Sequence, residues 1–138
     1  VALARDGDVR SHFSDGIFWL TLGIDPKIAL KQAELARMID CEPHPFENSG
    51  DGRSFLGNLL ADKTSLVILD DVWAASDVQE LLSNLGSRAR MLITTRDARI
   101  ITALAAREYP LGLLSPEESK KLLADWAGLD AAALALSG

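Results

Sequence analysis

The chain has 138 residues, enough for one domain or a large piece of one. Its 20 acidic and 14 basic side chains leave a net charge of −6, a poor match for tracking nucleic-acid phosphates, so no direct nucleic-acid partner is expected. A hydrophobic content of 48% excludes a disordered chain, no apolar run approaches the ~18 residues of a membrane span, and the single Cys41 excludes an internal disulfide framework and fits a reducing, cytoplasmic setting.

Val1 to Arg5 reads as the tail of a helix. With no methionine and no signal-like core ahead of it, the chain is expected to be a piece of a longer protein. A short helical stretch follows from Val9 to Phe13, and Ser14-Asp15-Gly16 closes it. Ile17 to Leu22 is β-branched and aromatic and stops at Gly23, which predicts a strand. Asp25-Pro26 is expected to open a helix, with Ile28, Leu35, Met38 and Ile39 on one face. Cys41 to Gly52, with two prolines and two glycines, reads as a long loop before a helix marked by Phe55, Leu56, Leu59 and Leu60.

Leu66 to Leu69 is a continuously apolar run that suits a strand buried on both faces. Ser76 to Gln79 has the spacing of a capping box, opening a helix with Val78, Leu81, Leu82 and Leu85 that Gly86 would end. Met91 to Thr94 predicts the next strand, then a helix with Ile100, Ile101 and Leu104, then a last short strand over Glu108 to Leu111. Ser115-Pro116-Glu117-Glu118 is a second capping box, ahead of a predicted buried stripe of Leu122, Leu123 and Trp126 and a stop at Gly128. The Ala-rich tail from Ala131 is expected to fray. Strands and helices alternate, which predicts an α/β fold with a parallel, doubly wound sheet. Ligands bind such sheets beyond the carboxyl ends of the strands.

Two sequences end strands with chemistry. In Leu66-Val67-Ile68-Leu69-Asp70-Asp71-Val72-Trp73, four apolar residues deliver two carboxylates to the edge of a buried strand. A like-charged pair there is costly unless a cation offsets it, and Mg²⁺ with phosphates would do so. This is the arrangement of a Walker B element: Asp70 would hold Mg²⁺ and Asp71 would orient or deprotonate the attacking water. The plainer alternative is that Asp71 caps a turn. In Arg90-Met91-Leu92-Ile93-Thr94-Thr95-Arg96-Asp97, two hydroxyls and a guanidinium end the next strand. Arg96 is thus a candidate γ-phosphate sensor, against the commoner outcome of an ion pair with Asp97 or Asp71.

Asp15-Gly16-Ile17-Phe18-Trp19-Leu20, Leu69-Asp70-Asp71-Val72-Trp73, Ile93-Thr94-Thr95-Arg96-Asp97 and Leu113 to Gly128, in this order and spacing, resemble the NB-ARC domain. Its members are P-loop nucleotide switches of the STAND class, known from plant disease-resistance proteins, apoptotic scaffolds and bacterial regulators. The resemblance implies a P-loop NTPase-type sheet over residues 1–114 and the start of a helical ARC subdomain over 115–138. It also implies an ADP/ATP switch with slow hydrolysis and Mg²⁺ as cofactor, with Thr94, Thr95 and Arg96 facing the nucleotide. Self-association and other domains of the same polypeptide would be its partners.

No Gly-x-x-x-x-Gly-Lys-[Ser/Thr] loop occurs in the chain. In the family that loop, with its strand, lies just ahead of the segment matching Val1 to Arg5, and a Gly-Leu-Pro motif lies beyond the match. The fold is therefore expected to be truncated, and residues 1–138 alone are expected to bind nucleotide weakly. A degenerate, non-catalytic interaction module of the same fold is the competing reading. A phosphoacceptor receiver fits less well, since the later strand ends in Thr94-Thr95 and Tyr109 precedes Pro110. Cys41 and His44 lack a second ligand pair for a metal, and Trp19, Trp73 and Trp126 read as packing residues.

Overall fold

The β-branched and aromatic runs pair as three parallel strands in the order β1-β2-β3: β1 (Gly16–Gly23), β2 (Ser65–Val72) and β3 (Arg90–Thr95). The computed structural model describes residues 5–40, 42–82 and 85–128. The predicted helix at Val1 to Arg5, Cys41 and the tail from Ala131 fall wholly or largely outside them. Two compact units divide the chain, Val1–Arg107 and Glu108–Gly138.

In the first unit, β2 is central, paired Ile17↔Leu66 through Thr21↔Asp70 on one side and Leu66↔Arg90 through Leu69↔Ile93 on the other. Flanked on both sides, Leu66, Val67, Ile68 and Leu69 are all buried, as their unbroken apolarity predicts. The helices are α1 (Gly7–His12), α2 (Ile28–Asp40), α3 (Ser49–Leu60), α4 (Ala75–Leu81) and α5 (Ala98–Ala103). Phe18, Leu20 and Leu22 of β1 and Val67 and Leu69 of β2 form one core with Leu35 of α2, Leu56 and Leu60 of α3, Leu81 of α4 and Ile100 of α5. Cutting a fully buried leucine such as Leu69 to alanine in such a core costs about 2–5 kcal/mol. This parallel sheet with flanking helices is an α/β architecture, as the resemblance implies.

Local starts and stops differ from the sequence reading in instructive ways. The stretch from Gly23 to Pro26 turns the chain out of β1, so α2 begins at Ile28, and its first helical bond runs from Lys31 N–H to the Lys27 carbonyl at 3.0 Å. Asn48 caps α3, its side-chain oxygen accepting from Asp51 N–H at 3.0 Å, and the long loop ends four residues early. The expected capping box at Ser76 does not form. Helix α4 starts two residues sooner, behind Ala74, with no side-chain cap. It ends at Leu81 rather than at Gly86. Gly86 serves a different end: a Cβ there would overlap the Ala61 carbonyl and lie 2.8 Å from the Leu60 oxygen. The glycine lets the chain cross the C-terminus of α3, where Arg88 donates to the Asp62 carbonyl at 2.6 Å.

In the second unit the expected strand over Glu108 to Leu111 is absent. Pro110 has no N–H to give a ladder, no strand among the described residues pairs with the segment, and Tyr109 and Leu111 are 81% and 91% exposed. Helix α6 (Pro116–Ala127) carries the predicted capping box, Ser115 Oγ accepting from Glu118 N–H at 3.2 Å and Glu118 accepting from Ser115 N–H at 2.8 Å. Its expected stripe is not buried: Leu122, Leu123 and Trp126 are exposed and only Ala124 is covered. A single helix cannot bury its own apolar face.

Candidate functional site

Both acids and both threonines meet at the carboxyl ends of β2 and β3, where the ladder is irregular. After Leu69↔Ile93 the next pair is Val72↔Thr95, so β2 uses three residues where β3 uses two. The extra residue is a β-bulge. Asp71 sits in it with φ 56°, in the left-handed region, at an expense of about 1–2 kcal/mol for a residue with a Cβ. By alternation Asp71 would share the inward face of Val67 and Leu69. The left-handed turn leaves its side chain half-buried and returns Val72 to the core. An apolar strand thus delivers two acids to its rim without burying either.

Thr94 lies across from them on β3. Its hydroxyl donates to Asp70 Oδ1 at 2.6 Å and accepts the Asp71 backbone N–H at 3.0 Å. Thr95 Oγ1 accepts the Asp97 N–H at 3.1 Å, closing the turn out of β3. Arg96 is exposed and, among the described residues, makes no ion pair. Asp97, considered above as a partner for Arg96, instead caps α5 through Arg99 N–H at 2.9 Å and pairs with the Arg99 guanidinium at 2.7 Å. Those bonds from Arg99 hold the Asp97 carboxyl below its ordinary value and raise Arg99. Arg99 as that partner was not expected, although an acid at a helix N-cap two residues ahead of an arginine is its signal in the sequence. Trp73, just past the acids, is 47% exposed rather than packed, and Trp19 is half-buried.

The donor set fits a hard cation. Asp70 Oδ1 is taken by Thr94, while Asp70 Oδ2 and the Asp71 carboxylate have no hydrogen-bond partner among the described residues. No cluster of three or more potential ligands occurs among those residues. Two carboxylates suit Mg²⁺, which keeps waters and takes phosphate oxygens rather than an all-protein cage. A groove of about 710 Å³ lies elsewhere, on the outer side of α2 among Leu30, Ala33, Met38, Pro43 and Pro45. It is mostly apolar, with Glu34 and Arg37 also on its wall, and lacks paired carboxylates, so the strand ends suit a hard cation better. His44, which lines that groove, is engaged by Asp40 at 2.8 Å and packs 4.3 Å from the Phe55 ring.

No described helix is long and apolar enough to cross a membrane. A family model described as the NB-ARC domain matches residues 2–131. A probable disease resistance protein of Arabidopsis thaliana is 27% identical over 124 residues, which cover 87% of this chain and 13% of that protein. The chain therefore spans 13% of the length of this relative.

Proposed function

Because the chain belongs to the NB-ARC family, a nucleotide-binding regulatory module, we propose that it supplies the Mg²⁺ and sensor side of an ADP/ATP switch. The observation that supports this is the meeting of Asp70 and Asp71 with Thr94 at the carboxyl ends of two adjacent parallel strands, where such sheets bind ligands, with Arg96 next in the chain after β3. Asp70 holds Mg²⁺ through its free oxygen, and Asp71 orients a water and takes its proton. Arg96 and Thr95 meet the terminal phosphates, Arg96 with no other described partner to release. Mg²⁺, when bound, neutralises phosphate charge and withdraws electrons from the transferring group. Hydrolysis is slow, and the bound nucleotide sets whether a larger protein is closed or self-associated.

Residues 1–114 belong to the nucleotide-binding core in this proposal, and residues 115–138 begin the ARC subdomain. The partners are an adenine nucleotide, other domains of the same polypeptide and further copies of it, in the cytoplasm. The name of the Arabidopsis relative supports a role in signalling. The test is calorimetry of ADP and ATP on the full-length protein with and without Mg²⁺. The parent should bind more tightly with the metal, and Asp70→Ala should lose that difference. An Asp70→Ala variant with the parent's Mg²⁺ response would overturn the assignment.

A further inference from the structure

We propose that Thr94 is a positioning residue, whose single hydroxyl sets both acids of the site at once. A threonine hydroxyl has one proton to give and lone pairs to receive. Here the proton goes to Asp70 Oδ1 at 2.6 Å, the short range of a bond to an ionised carboxylate. A lone pair takes the Asp71 N–H at 3.0 Å. The bulge is what creates this second bond. With β2 one residue long against β3, the Asp71 N–H bonds not to a ladder carbonyl of the neighbouring strand but to a side chain of it.

The consequences reach each acid differently. Asp70 has one oxygen fixed and its other oxygen left toward a hard cation, the way a supporting residue orients a metal ligand. Asp71 has its left-handed backbone held, which keeps its carboxylate off the core face. Removing the hydroxyl therefore frees a carboxylate rotor and a strained backbone together. The part of this that concerns Mg²⁺ rests on the switch proposed above; the brace itself does not.

The test uses the full-length protein with Thr94→Val, which keeps the branched shape a strand favours, and Thr94→Ser, which keeps the hydroxyl. Two quantities are read: hydrogen exchange at the Asp71 amide without nucleotide or metal, and the Mg²⁺ concentration that half-restores ADP binding. Thr94→Val should speed the exchange about five- to tenfold and raise the Mg²⁺ requirement about tenfold or more. Thr94→Ser should return both toward the parent. Unchanged exchange in Thr94→Val would overturn the brace, as would a serine variant that behaves like valine. Faster exchange with an unchanged Mg²⁺ requirement would overturn the positioning role. Faster exchange in a protein whose parent ignores Mg²⁺ would sustain the brace and sink the switch instead.

Discussion

Gln32 and Gly52 are packed so tightly that a Cβ on Gly52 would overlap Gln32 Oε1 and lie 2.7 Å from its Cδ. Gln32 cannot swing aside, because it is fully buried and its Nε2 faces the carbonyls of Ser49 at 2.8 Å, Glu80 at 3.0 Å and Leu81 at 3.3 Å. One carboxamide thus ties α2 to the start of α3 and the end of α4. Gly52→Ala gains about 1 kcal/mol of helix propensity but incurs about 1–3 kcal/mol of overpacking. It should destabilise the protein overall by about 1 kcal/mol in urea unfolding. In a Gln32→Ala background the same substitution should become stabilising. A cost of equal size in both backgrounds would show that the overlap is not the cause.

Asp71→Asn removes the carboxylate while keeping a residue that tolerates the left-handed backbone. In the full-length protein, nucleotide binding should stay near the parent's and hydrolysis should slow by ~10²-fold or more, the scale of a lost general base. Phosphate release under single-turnover conditions measures this. Equal rates would leave Asp71 as the residue of the bulge and nothing more.

Arg96 should discriminate between nucleotides. It is exposed without a described partner, so Arg96→Ala should change unfolding stability by no more than about 0.5 kcal/mol. ATP affinity should fall more than ADP affinity in calorimetry, because the guanidinium is assigned to the terminal phosphate. An equal loss for both nucleotides would remove the sensor role.

The pH response should have two opposite components. Asp97 is held below its usual 3.8 by hydrogen bonds from Arg99, so the folded state favours its ionised form. Its contribution is complete above pH 3.8 and is lost as pH falls through the lower folded value. Asp77 is raised above 3.8 by burial and by the charges of Glu80 and Asp25. It favours folding in acid and loses that advantage as pH rises through its folded value. Asp77→Asn should therefore stabilise the protein slightly at pH 7 and make no difference below pH 3. NMR titration of Asp97 in Arg99→Ala should show its midpoint moving up. A midpoint that stays in place would detach Arg99 from the shift.

Much of this was legible because it depends on local chemistry. The run Leu66 to Leu69 has one way to bury four apolar residues in succession, and it is the central strand. The acids after it, and the Thr94-Thr95-Arg96 segment one strand over, were found because strand ends follow directly from strands. What was missed depends on residues distant in sequence. Nothing near Asp71 announces that β3 will run one residue short beside it, so neither the bulge nor the reach of Thr94 was visible. Glu108 to Leu111 has strand-like residues, but a strand is a pairing and no strand among the described residues pairs with it. Gly86 has the position of a helix stop, whereas its need is the Ala61 backbone pressing on it. Ser76 had the spacing of a cap, but the helix begins two residues ahead of that frame.

The three-against-two count between β2 and β3 makes the second acid removable by a single lost codon. Deleting Asp71 would let Asp70 face Thr94 and bring Val72 opposite Thr95 in unbroken register. The valine would still fall on the inward face, now beside Leu22, and the sheet would keep its core. An insertion or deletion in a central strand ordinarily turns every later side chain to the wrong side. Here it would straighten the strand and relieve its one left-handed residue. The core and the second acid are therefore genetically separable at this point: a descendant could lose the role proposed for Asp71 in one step and remain a sound scaffold.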